Sequence, residues 1–143
     1  MRNDLFLKSD VAKNLYDAVR DLPIVDYHCH LSPKEILEDR EFPDIAQIWL
    51  NGDHYKWRLM RANGVDERFI TGDAPAREKF QKWAETLGRC VGNPVFEWSH
   101  LELKRFFGYE GVLNGNTAQE VWDLANAKLA EASFTCRNLI KQS

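Results

Sequence analysis

His28 and His30, separated by one residue, are the side chains in this sequence whose type and spacing could together hold a metal ion. They lie in residues 23–31, Pro-Ile-Val-Asp-Tyr-His-Cys-His-Leu, the one stretch with a strand pattern. Successive side chains of a strand point to opposite faces. Val25, Tyr27, Cys29 and Leu31 would then share an apolar face, and Asp26, His28 and His30 the other. Two imidazoles at i and i+2 stand roughly 6 to 7 Å apart along a strand, close enough to converge on one cation. The pleat turns Cys29 away from them. A bare His-x-His also arises by chance, and either ring could instead be a half-buried, hydrogen-bonded residue. Two donors do not complete a zinc site, so further ligands would have to come from elsewhere.

The elements that would position this pair are helical. Ser9 can cap a helix with Val11, Leu15, Ala18, Val19 and Leu22 on its apolar face, stopped by Pro23. Ser32-Pro33-Lys34-Glu35 reads as a capping box for a helix to about Arg40, which puts the histidines at a strand's carboxyl end. Open α/β sheets and barrels place their chemistry at such ends. Beyond Phe42 no second strand is legible. Asp44 can cap residues 45–51, ended by Gly52, and a second helix covers 54–63, ended by Gly64. Asp73 and Pro75 open a longer helix with Phe80, Trp83, Ala84 and Leu87 as its stripe. Asn93-Pro94 opens another, with Val95, Trp98, Leu101 and the stem of Arg105 on one side, stopped at Gly108. After a loop over 108–116, Thr117-Ala118-Gln119-Glu120 reads as a second capping box, with Val121, Leu124, Ala125 and Leu129 inward. Residues 134–143 carry Leu139 and Ile140 at apolar positions and stop without a glycine cap or polar tail, which reads as an interruption of a longer chain. The fold class is thus mainly α with one β-strand. The divisions are 1–40, a helix plus the His-x-His strand, and 41–143, a helical block. A lone strand with no sheet neighbours points to a chain that is the front portion of a larger protein.

Composition narrows the class. With 44% hydrophobic and 29% charged residues in 143, the chain can bury a core and is not disordered by composition. A net charge of -3 argues against a general nucleic-acid or anionic-membrane binder. No apolar run approaches the roughly 18 residues of a membrane span, and residues 1–10 lack a signal-peptide core, so a cytoplasmic chain is expected. Cys29, Cys90 and Cys136 are widely spaced and in no CxxC arrangement, which suits inert thiols rather than a disulfide framework. Lys56, Arg58 and Arg61 read as a solvated basic face, His100 as structural, and His54 and Tyr55, on their own chemistry, as a solvent-facing histidine and a packed tyrosine.

Several stretches together resemble a known family: Asp26-Tyr27-His28-Cys29-His30-Leu31, Ile48-Trp49-Leu50-Asn51-Gly52-Asp53-His54-Tyr55-Lys56-Trp57-Arg58, Asn63-Gly64-Val65, Thr71-Gly72-Asp73-Ala74, Gly92-Asn93-Pro94 and His100-Leu101-Glu102-Leu103. On these the whole chain resembles the N-terminal third of uronate (glucuronate) isomerases, members of the amidohydrolase superfamily. The resemblance implies a distorted (β/α)8 barrel in the full-length parent, with this chain supplying the first strand and a helical insertion. It implies interconversion of D-glucuronate with D-fructuronate and of D-galacturonate with D-tagaturonate through an enediolate, assisted by a divalent metal, commonly zinc. His28 and His30 match the family's first-strand metal ligands, and His54 and Tyr55 match positions that reach the sugar's hydroxyls. The third metal ligand, the arginines for the substrate carboxylate and the acidic proton-transfer group would lie in the remainder. The parent is expected to be a homo-oligomer and the fragment alone inactive. Two alternatives remain at this point: a metal-dependent hydrolase of the same superfamily, or a non-catalytic helical interaction module.

Overall fold

The computed structural model describes residues 7–25, 28 and 32–142. The elements run α1 (Asp10–Val19), α2 (Pro33–Glu38), α3 (Ile45–Leu50), α4 (His54–Ala62), a 3-10 turn (Glu67–Phe69), α5 (Ala76–Leu87), α6 (Pro94–Phe107), α7 (Ala118–Leu129) and α8 (Cys136–Gln142). The fold is mainly α, as expected. No described helix is long and apolar enough to cross a membrane.

The expected strand is not seen. Of residues 23–31, Pro23, Ile24, Val25 and His28 are described and belong to no strand, while Asp26, Tyr27, Cys29, His30 and Leu31 lie outside the described residues. Among the described residues the β pairing is an isolated antiparallel bridge between Glu41 and Thr135. An extended segment gains its ladder of hydrogen bonds only beside another strand, and alternation in sequence supplies none.

α5 is the centre of the core. It packs against α3, α4, α7 and the 3-10 turn. Phe80, Trp83, Ala84 and Leu87 are fully buried on it, the stripe expected from their spacing. Ile45, Trp49 and Leu50 of α3, Met60 of α4 and Val121 and Ala125 of α7 close around them. Each large apolar side chain removed from water contributes about 1.5–3 kcal/mol, which is why this spacing prevails over weak helix propensities. α5 starts one residue after Pro75 with no side-chain cap, so Asp73 does not cap it.

α6 is capped by Asn93 as expected and ends at Gly108, whose φ of 71° is left-handed and suits a residue without Cβ. Its buried face is different from the expected one. Ser99, His100, Leu103 and Phe107 are inside, whereas Trp98 is 59% exposed. His100 sets this rotation. Its Nε2 accepts from the Leu113 amide at 2.9 Å, so Nδ1 carries the proton and donates to the Phe96 carbonyl at 2.6 Å. A satisfied buried imidazole thereby ties the 108–116 loop to α6, and His100 is structural.

Thr117 makes no cap for α7. Its hydroxyl donates to the Val112 carbonyl at 2.8 Å and accepts from the Asn114 amide at 2.9 Å, so the loop has claimed it. Near the end of the described residues lies α8, with Cys136 buried. This helix is joined to α2 across the chain: the Arg137 amide donates to the Asp39 carboxylate at 2.9 Å, and its guanidinium donates to the Ile36 and Leu37 carbonyls that end α2. Asp39 takes a left-handed φ of 52°, a conformation aspartate tolerates. Cys136 is buried; Cys90 is part-buried, donates to the Thr86 carbonyl, and has its thiol pKa pushed up by burial. Both suit inert thiols.

Candidate functional site

The described side chains most suited to touching a small polar ligand sit at the start of α4. Asp53 is the N-cap: its Oδ1 accepts from the Tyr55 amide at 2.9 Å and the Lys56 amide at 3.3 Å. This fixes His54 and Tyr55 as the first two residues of the helix. Their rings stack, with centroids 4.5 Å apart and planes inclined by 29°. Both are exposed, Tyr55 by 47%. The Arg58 guanidinium lies 5.5 Å from the Tyr55 ring centroid, one turn along the same face. Two hydrogen-bonding rings and a cation thus share one exposed edge.

Beneath that edge is a charged cluster. Lys56, read from sequence as solvated, is 7% exposed. Its Nζ donates to Asp53 Oδ2 at 2.8 Å and lies 5.6 Å from the Trp49 ring centroid. Only Arg58 and Arg61 of the basic trio face water, and Arg61 is paired with Glu67. Burial works to raise the Asp53 carboxyl, but the Lys56 ammonium and the helix amides outweigh it and hold its pKa below the usual carboxylate range. Glu102, on α6, shows the opposite balance. Burial pushes its pKa up, and Asp53 adds to this, against the pull of Lys56 and the Trp49 side chain. The sequence signal for this cluster was an aspartate at a helix start with a lysine three residues on. The competing pattern, three basic residues within six positions, favoured a solvated face.

The histidine pair is less fully placed. His28 is exposed, and His30 lies outside the described residues. Among the described residues no group of three or more His, Cys, Asp or Glu side chains could hold a metal ion. The imidazole of His28 is a suitable donor for zinc, but the described residues do not make up a complete donor set.

A family model described as Glucuronate isomerase matches residues 1–143. The uronate isomerase of Lachnospira eligens is 62% identical over 144 residues, covering 100% of this chain and 31% of that protein. That of Bacillus subtilis is 50% identical, covering 100% of this chain and 30% of that protein. The chain therefore spans about a third of the length of the curated relatives it matches. Among solved structures, uronate isomerase from Thermotoga maritima superposes with a TM-score of 0.89 at 40% identity over 99% of this chain and 31% of that one. Glucuronate isomerase from Caulobacter crescentus gives 0.82 at 27% identity, over 91% of this chain and 29% of that one. With a match running through every residue and the same helical arrangement recurring in both solved relatives, the chain belongs to the glucuronate (uronate) isomerase family.

Proposed function

We propose that this chain forms the N-terminal part of a uronate isomerase that moves a carbonyl between C1 and C2 of D-glucuronate and D-galacturonate, giving D-fructuronate and D-tagaturonate. The observation that carries the site is the stacked, exposed His54–Tyr55 pair at the capped start of α4. The reaction removes a proton from a carbon beside a carbonyl and builds negative charge on oxygen. The Tyr55 hydroxyl donates to a sugar oxygen and the His54 ring bonds a neighbouring hydroxyl, which fixes the proton that faces the base. Neither acts as a nucleophile.

His28 and His30 serve as two donors to a divalent cation, zinc being well suited to imidazole nitrogen. When bound, such an ion supplies Lewis-acid stabilisation of negative charge on substrate oxygen. The remaining donors and the proton-transfer group come from the rest of the polypeptide, so residues 1–143 alone are inactive. In the full-length protein, residues 1–40 furnish the first strand of a (β/α)8 barrel of amidohydrolase type, and 41–143 the helical insertion beside it. The exposed apolar residues of α1, together with Ile24 and Val25, support this reading, because they await a covering surface. In this reading the enzyme is a cytoplasmic homo-oligomer, and the net charge of -3 accords with its having no nucleic-acid or anionic-membrane partner.

The test is turnover of D-glucuronate by the full-length protein and its Tyr55→Phe and His54→Asn variants. Each substitution is expected to lower kcat/KM about 10²-fold. Variants as active as the parent would remove both residues from the site, and a full-length protein that hydrolyses esters or amides without isomerising uronates would overturn the activity.

A further inference from the structure

The geometry points to Lys56 as a positioning residue: its ammonium, held between the Asp53 carboxylate and the face of Trp49, fixes the first turn of α4 in the orientation that His54 and Tyr55 need. This inference rests on the site assignment proposed above. A lysine is seldom 7% exposed unless its charge is answered. Here Asp53 answers it at 2.8 Å, and the same carboxylate caps the helix through the Tyr55 and Lys56 amides. One carboxylate therefore carries two tasks, and Lys56 determines which way it can turn. If Asp53 were released, Oδ2 could rotate toward solvent, and the Tyr55 amide would lose the partner that sets the ring's approach angle.

The surroundings make this clamp rigid. Trp49, under the ammonium, belongs to α3 and is buried against Phe80 of α5, with ring centroids 6.2 Å apart. The Trp57 indole donates to the Leu50 carbonyl at 2.6 Å, fastening the second turn of α4 to the end of α3. Glu102 approaches from α6 and interacts with Lys56, Asp53 and Trp49. Three helices thus converge on one ammonium, and none of the three acidic or basic groups is among those assigned to touch the sugar. The His54–Tyr55 pair sits on this base, and reacting groups are sensitive to such placement: a misplacement of about 1 Å can cost about a hundredfold in rate.

The test uses the full-length enzyme with D-glucuronate and three variants: Lys56→Met, which keeps the stem and removes the charge; Asp53→Asn, which keeps a good capping side chain and removes the ion pair; and Tyr55→Phe. Circular dichroism verifies folding, and should Lys56→Met fail to fold, Asp53→Asn takes its place in every comparison. We expect Lys56→Met to lower kcat about tenfold or more with KM changed less than about twofold. In a Tyr55→Phe background its further cost should be clearly smaller than in the parent, because the share of the loss that acts through the Tyr55 hydroxyl is already gone. Losses that multiply in the double variant, or a fully active Lys56→Met beside an impaired Tyr55→Phe, would overturn the positioning role. A fully active Tyr55→Phe would instead overturn the site assignment, and the inference with it.

Discussion

Residues 41–142 and the described part of residues 7–40 are built from equally well-signalled helices, yet they end in opposite states. In the first region α5 and its neighbours bury Phe80, Trp83, Met60 and Ile45 completely. In the second, α1 and α2 bury nothing, although α1 is capped by Ser9 and α2 carries a complete capping box with Pro33. Val11, Leu15 and Val19 form the expected stripe and are more than half exposed, at 67%, 66% and 53%, while α1 ends at Val19, short of Leu22 and the expected stop at Pro23. Local signals decide where a helix begins. Whether its apolar face is covered depends on what else the polypeptide supplies, and for α1 no covering surface is found among the described residues.

That contrast can be broken at both ends. Trp83→Ala should remove about 3–5 kcal/mol from the stability of the helical body, read as a drop in urea midpoint, because its cavity lies where α5 meets its neighbours. A loss below 1 kcal/mol would mean that the body is not held by this core. Arg137→Ala should act at the join between the regions. It removes the donors to the Ile36 and Leu37 carbonyls and is expected to cost about 1 kcal/mol, seen as faster amide exchange over residues 33–39 with α5 unchanged. Leu15→Ala should shift the stability of the 143-residue chain by no more than about 0.5 kcal/mol. In the full-length protein the same change should cost about 2 kcal/mol or more if α1 is covered there. A large effect in the short chain would erase the distinction between the two regions.

The signals that were legible are those a side chain satisfies within its own turn. Ser9, Ser32 with Glu35, Asp44 and Asn93 all cap as their spacing suggests, and Gly108 ends α6. Signals open to a competing partner were misread. Thr117 has the capping sequence, but Val112 and Asn114 hold its hydroxyl. Trp98 looks like core, but the Leu113 amide recruits His100 and turns α6 away from it. Lys56 looks solvated, and the aspartate three residues before it draws it inside. The alternation in residues 23–31 predicts a strand, and among the described residues no neighbouring strand is found to pair with it. At the candidate site the identities of His54 and Tyr55 came from family resemblance. Their stacking could not be read from adjacency, since neighbouring residues on a helix usually diverge.

The Arg137–Asp39 contact spans 98 residues, and this has a bearing on synthesis. A ribosome adding about 5–20 residues per second would release α2 roughly 5–20 s before the arginine that fastens it. During that interval the helix that follows His28 has nothing from α8 to anchor it, while the segments forming the α3–α5 core are made and can pack. Docking of α2 would then be a late step in maturation, completed against a body already assembled.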